Sequence, residues 1–273
     1  MKAFEGVLLC TDLDGTLLRS DGGISEENLR AIEHFKAEGG TFTFVTGRMP
    51  YFVRRIWETV RPNAPFCCIN GGGIYDPRTG EYLWRRELPR TALDLLEEVD
   101  RAVDGIGIQI NTFDRIYFCR ENAAMEHFRR ATGVPNLTCS PREVSEPIGK
   151  IVFGDQREEA ILRVQELLLS HPRAQGFDFI RSDRVLYEIL PRGNSKGSVL
   201  LRLAELLRMD PRRTVAIGDY YNDVEMLRAA RLGIAVANAC PDARAAADHV
   251  TVSNNDHAIA RVIEDLERGR LTL

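Results

Sequence analysis

The chain has 273 residues, a net charge of −4, 44% hydrophobic residues and 28% charged ones, which suits a sizeable core in one large or two modest domains. No long basic run points to nucleic acid as a partner, and no stretch approaches the ~18 apolar residues of a membrane helix. The opening MKAFEGVLLC is too short in apolar residues for a signal peptide, so the expectation is a cytoplasmic protein that partners neither nucleic acid nor membrane.

The first apolar run lies in LLCTDLDGTLL, residues 8–18, and stops at two carboxylates, Asp12 and Asp14. A helix is expected next. Ser25 is placed to cap it, Glu26 and Glu27 follow, Leu29, Ile32 and Phe35 form its apolar face, and Gly39-Gly40 ends it. TFTFVTGR gives a second strand, ending in Thr46, Gly47 and Arg48, and FCCINGG a third; INGGGIYD reads as a glycine-rich turn. Short continuous apolar runs of this kind suit strands buried on both faces of a parallel sheet.

From about residue 85 the pattern changes. Residues 105–120 and 177–190 each look like a hairpin, 149–155 like a further strand, and 91–103, 121–131 and 157–170 like helices. Hairpins with helices suggest an antiparallel sheet covered on one side. The helix-strand alternation then resumes with a helix over 195–208, followed by TVAIGDYYND, GIAVANA and DHVTVSNN. The expected fold class is α/β: a doubly wound, Rossmann-like parallel-sheet core over 1–84 plus 188–273, with an α+β unit inserted over 85–187. Six cysteines without a C-x-x-C pair argue against a zinc site or a disulfide framework.

In open α/β sheets ligands sit beyond the carboxyl ends of the strands. Those ends supply Asp12, Asp14, Thr46, Asp219, Asn222 and Asp223, and a helix start supplies Lys196. Acids, one lysine and small polar groups converging on one crevice fit phosphoryl chemistry with Mg²⁺, a hard cation that takes oxygen ligands. The cation would relieve the repulsion between the acids. Lys196 suits phosphate oxygens, and Gly15 and Gly47 allow close backbone approach. Each motif taken singly has a plainer reading: D-x-D as a solvated turn, Lys196 as a solvated first-turn lysine, GDYYND as a helix cap. Arg48 fits substrate binding and a local salt bridge equally. Trp57, Trp84 and the Cys67-Cys68 pair read as packing.

Taken together and in order, DLDGT, TGR, Lys196 and GDYYND resemble the four motifs of the haloacid dehalogenase superfamily. Asp12 and Thr46 are 34 positions apart, while Thr46 and Lys196 are 150 apart. Only the second interval has room for a cap domain, and that layout is similar to the Cof-type phosphatases. INGGGIYD and AADHVTVSNNDHAIA resemble the same branch. The resemblance implies an enzyme, a phosphoric monoester hydrolase acting on small phosphorylated metabolites, sugar phosphates by default, with the inserted unit as a cap that sets specificity.

It further implies roles for single residues. Asp12 would be the nucleophile that forms an aspartyl-phosphate, and Asp14 the general acid and base. Asp12, the backbone carbonyl of Asp14, and Asp219 would hold Mg²⁺, with Asp223 orienting its waters or adding a ligand. Thr46, Lys196 and Asn222, with the backbone N–H groups of Leu13 and Gly47, would hold the phosphate. Three positions depart from the branch: Tyr220 where a small or polar residue is frequent, and Ala237 and His257 where glycine is. A sugar phosphomutase of the same superfamily is the nearest alternative, and a non-catalytic metal or phosphate sensor is the alternative of another class. The four catalytic-type side chains Asp12, Asp14, Lys196 and Asp219 argue against the sensor.

Overall fold

The computed structural model describes residues 2–273. In chain order the first part holds β1 (Leu8–Thr11), α1 (Glu26–Ala37), β2 (Thr41–Phe44), α2 (Pro50–Val60), β3 (Phe66–Cys68), β4 (Gly73–Asp76) and β5 (Glu81–Arg85). The middle holds α3 (Ala92–Ala102), β6 (Gly107–Thr112), β7 (Ile116–Arg120), α4 (Ala123–Thr132), β8 (Leu137–Thr138), β9 (Ile148–Gly154), α5 (Glu158–Ser170), β10 (Phe177–Asp183) and β11 (Leu186–Pro191). The last part holds α6 (Lys196–Leu206), β12 (Thr214–Gly218), α7 (Val224–Ala229), β13 (Leu232–Ala235), α8 (Pro241–Ala246), β14 (His249–Val250) and α9 (Ala258–Glu267).

The chain divides into two compact units, one of Met1–Trp84 with Ser195–Leu273 and one of Arg85–Asn194. In the first, five parallel strands lie in the order β14-β13-β12-β1-β2. Leu8, Leu9, Cys10, Phe42, Phe44, Val215, Ile217 and Ile234 are wholly buried, as expected where helices cover both faces of a parallel sheet. The chain leaves β1 for β2 on one side and returns through β12 on the other. Strand order therefore reverses at β1, and this is where such sheets open a crevice.

Helix α1 starts where the sequence indicates: the Ser25 hydroxyl accepts the N–H of Asn28 at 3.2 Å. Its inner stripe is Asn28, Ile32 and Phe35, with Leu29 only half-buried. Asn28 takes the inner position because α1 packs on α9, where its Oδ1 accepts the N–H of Ala260 at 3.0 Å. After β3 the stretch expected to be only a turn makes one turn of 3₁₀ helix and then enters β4, so β3, β4 and β5 form a small sheet of their own.

The second unit is a six-stranded sheet, β10-β11-β9-β6-β7-β8, antiparallel except for β8 beside β7. One face carries Ile108, Ile110, Ile151, Phe153 and Ile189, packed by Leu93, Leu96 and Val99 of α3 and by Ile161 and Val164 of α5. Strand alternation puts Gln109, Asn111, Lys150 and Glu188 on the other face. All four are buried. Lys150 Nζ lies 2.8 Å from Glu188 Oε1, which also accepts the Ser182 hydroxyl at 2.5 Å. The expected boundary at 187 falls short: β11 pairs with β9 through Ile189, so this unit runs to Asn194.

Candidate active site

The carboxylates sit at the end of β1 because the ladder delivers them there. The N–H of Asp12 still pairs with the carbonyl of Ile217 at 2.9 Å, and then the chain turns. The carbonyl of Leu13 accepts from Leu18 N at 2.8 Å and closes that turn, while the Leu13 side chain is buried in the core. Gly15 has φ +75°, and a Cβ on it would lie 2.5 Å from Asp219 Oδ2. Only glycine satisfies both conditions.

Lys196 opens α6, a position where the helix dipole disfavours a cation. Its side chain is nonetheless 1% exposed. Its ammonium lies 2.7 Å from Asp12 Oδ1 and 2.6 Å from Asp223 Oδ1, so it is not a solvated lysine. Asp223 uses its other oxygen to accept the N–H groups of Asp219 (2.9 Å) and Tyr220 (3.0 Å). It closes the GDYYND turn and touches the lysine at once. The Thr16 hydroxyl donates to Asp219 Oδ1 at 2.6 Å and orients that carboxylate.

One oxygen each of Asp12, Asp219 and Asp223 falls within 4.8 Å of the others. Burial, together with repulsion from Asp223, Asp219 and Asp14, raises the Asp12 carboxyl well above its usual range despite the pull of Lys196. Burial and then Asp223 push Asp219 up to about 7. Burial opposes the charge on Lys196, but Asp12 and Asp223 outweigh it and raise the ammonium's pKa. Three carboxylates facing one ammonium leave surplus negative charge in a buried place. An all-oxygen donor set with that surplus fits a hard divalent cation.

The remaining predicted residues form a second group. Thr46 is buried beyond β2; its N–H pairs with the Cys67 carbonyl at 3.0 Å, and its hydroxyl accepts from Arg48 N at 3.1 Å. Asn222 Nδ2 donates to Asn70 Oδ1 at 3.1 Å. A Cβ on Gly47 would lie 2.8 Å from the same oxygen. Arg48 links the two groups: its Nε and Nη2 meet the carboxylate of Asp14 at 2.8 and 2.5 Å. The side chain of Asp14 is exposed and stands outside the acidic cluster. Of the two readings open for Arg48, the structure contains the salt bridge.

Sequence reasoning assigned no role to four residues. Asn70 lies in INGGGIYD, a stretch noted only as a glycine-rich turn that resembles the Cof-type branch. Ile69, Asn70 and Gly71 have φ of 55°, 50° and 95°, and left-handed backbone costs an L residue roughly 1–2 kcal/mol. Asn238 donates to the Gly15 carbonyl at 2.8 Å and accepts the N–H of Asn254 at 3.0 Å. Asn254 in turn donates to the Leu18 carbonyl at 2.9 Å. The AVANA and VSNND stretches thus clamp the DLDGT turn. Thr16, inside that motif, proves to orient Asp219. Tyr220 packs its ring edge-on to Tyr221, 4.9 Å between centroids.

The sequence pattern of the haloacid dehalogenase-like hydrolases matches residues 9–263. Phosphatase YwpJ of Bacillus subtilis is 27% identical over 95% of this chain and 99% of its own length. The same organism's 5-amino-6-(5-phospho-D-ribitylamino)uracil phosphatase YitU is 25% identical over 94% of this chain and 96% of its own. Among solved structures, a haloacid dehalogenase-like hydrolase from B. subtilis superposes with a TM-score of 0.80 at 26% identity, covering 97% of this chain and 99% of that one. The reversal of strand order at β1, the buried Lys196 between two carboxylates and these likenesses lead to one conclusion: the chain belongs to the haloacid dehalogenase-like hydrolases, in their Cof-type phosphatase branch.

Proposed function

We propose that the chain is a Mg²⁺-dependent phosphatase of small phosphorylated metabolites that works through an aspartyl-phosphate on Asp12. The observation that carries this reading is the buried ammonium of Lys196 bridging Asp12 and Asp223 beside Asp219. Asp12, Asp219 and Asp223, with the backbone carbonyl of Asp14, would hold the ion, which when bound supplies positive charge against the phosphate and the carboxylates.

The chain's own groups do the rest. Lys196 keeps Asp12 oriented and lends it charge compensation. An Asp12 oxygen attacks phosphorus, the bond from phosphorus to the leaving oxygen breaks, and Asp14 gives the leaving oxygen a proton. Asp14 then takes a proton from water, which attacks phosphorus, releases phosphate and restores Asp12. Each Asp14 oxygen accepts one N–H bond from Arg48, which favours the charged form of Asp14 over the protonated one. Thr46, Asn222, Lys196 and the N–H groups of Leu13 and Gly47 grip the phosphate oxygens.

The substrate class we favour is sugar or polyol phosphates. The phosphorylated ribityl chain in the name of one relative belongs to that class. In this reading the second unit is the cap that selects the substrate. The six cysteines form no disulfide, which suits the cytoplasm as its location, and no helix among the described residues is long and apolar enough to cross a membrane.

The test is phosphate release from a panel of phosphomonoesters, with Mg²⁺ and with EDTA, on wild type and Asp12→Asn. Release that needs both the metal and Asp12, falling by on the order of 10³-fold or more in the variant, is the expected outcome. An Asp12→Asn protein that kept most of its activity would sink the assignment of the nucleophile. Phosphate that moves within a substrate instead of being released would point to the mutase.

A further inference from the structure

One buried polar side chain touches the phosphate-gripping motifs without belonging to any of them. Asn70 is 2% exposed. Its N–H donates to the Thr46 carbonyl at 3.1 Å, and that of Ile69 donates to the Arg48 carbonyl at 3.1 Å, so both ends of the Thr46–Arg48 turn hang on this stretch. Its Oδ1 accepts from Asn222 Nδ2 at 3.1 Å and lies where a Cβ on Gly47 would come within 2.8 Å. The next residue, Gly71, backs onto Lys196's own cap: a Cβ there would sit 2.3 Å from the Ser195 carbonyl oxygen.

Three glycines follow Asn70 directly. A left-handed residue at position 70 could equally be glycine, the residue that adopts that conformation without strain. Asparagine tolerates it at some cost and adds an amide, and the amide is aimed at Asn222. The terminal torsion of a free asparagine is broad, so an unheld Asn222 would have to be ordered each time phosphate binds. A preset one would not.

We propose that Asn70 is a positioning residue: its amide oxygen fixes the Asn222 amide and its backbone fixes the Thr46–Arg48 turn, so that both grip one phosphate without rearranging. This rests on the phosphatase reading for its function, but it can be tested on binding alone. The probe is inorganic phosphate, titrated calorimetrically in the presence of Mg²⁺, with kcat and KM measured in parallel. Asn70→Gly keeps the backbone conformation and removes the amide. Phosphate should bind about tenfold more weakly, the scale of one hydrogen bond, with KM rising more than kcat falls and the melting temperature held.

The double-mutant cycle with Asn222→Ala is the sharper measurement. Asn222→Ala should weaken phosphate binding in wild type and cost clearly less in Asn70→Gly. In Asn70→Asp, which keeps shape and acceptor oxygen, it should cost as much as in wild type. Wild-type phosphate affinity in Asn70→Gly, or losses that multiply in the double variant, overturns the proposal. If Asn70→Gly does not fold, the Asn70→Asp background decides, and no cost of Asn222→Ala there overturns it. A wild type that binds phosphate but turns over no ester refutes the phosphatase reading alone, whereas one that binds no phosphate refutes both.

Discussion

Asp219 is held where an ionised carboxylate is costly. Burial and then Asp223 lift its pKa from 3.8 to about 7. A carboxyl raised on folding makes the folded state bind more protons than the unfolded one, so stability falls as pH rises between those two values and is level above them. The loss is on the order of a few kcal/mol. Asp219→Asn removes the charge and leaves Oδ1 to accept from Thr16. In EDTA the variant should therefore gain stability over wild type as pH goes from 4 to 8, read as a growing gap between urea midpoints. A constant gap would contradict the burial argument. Added Mg²⁺ should close the gap at pH 8 by stabilising wild type alone. Asp12, Asp219 and Asp223 were legible because each stands in a compact motif, and Lys196 because it opens a helix in order between two such motifs. Asn70 and Asn238 were not, because each acts on a partner more than 100 positions away, Asn222 and Gly15 respectively.

Helix starts were legible at Ser25 and Ser195, whose hydroxyls accept the N–H of Asn28 and of Ser198. Local capping chemistry decides such points. The partner of a helix face was not legible, which is why Asn28 took the inner place beside α9. His257 shows the same limit. It caps α9 with φ 61° and ψ 47°, a conformation glycine adopts freely and histidine does not. His257→Gly should raise stability by about 0.5–1 kcal/mol, the gain from relieving a left-handed position less the chain entropy of glycine. A midpoint in urea that stays level or drops would mean that the histidine ring contributes more than the strain removes. Ala237, the other site where glycine is frequent, has no positive φ and carries no such penalty.

At the scale of the whole chain, the alternation of textures revealed an α/β core and an inserted α+β unit, and the second compact unit begins at Arg85. The second unit runs past 187 to Asn194 because β11 continues as one strand to Pro191, paired with β10 and β9. The inserted unit has its own apolar cluster between sheet and helices. Residues 85–194 expressed alone should therefore fold and unfold in one cooperative transition, followed by circular dichroism in urea. A fragment with no transition would show that its core is incomplete.

The two ends of that inserted unit lie side by side. The Arg86 guanidinium donates to the Arg192 carbonyl at 2.8 Å, although the residues are 106 positions apart. Every acid and lysine of the candidate site is encoded in the flanks. A gene exchange with two crossovers, one near each of these arginines, would replace the whole inserted unit as a cassette and leave the hydrolytic machinery intact. Under the proposed role of the inserted unit as the cap that selects the substrate, descendants of one ancestral catalyst would in this way acquire new substrates by recombination, without passing through an inactive intermediate.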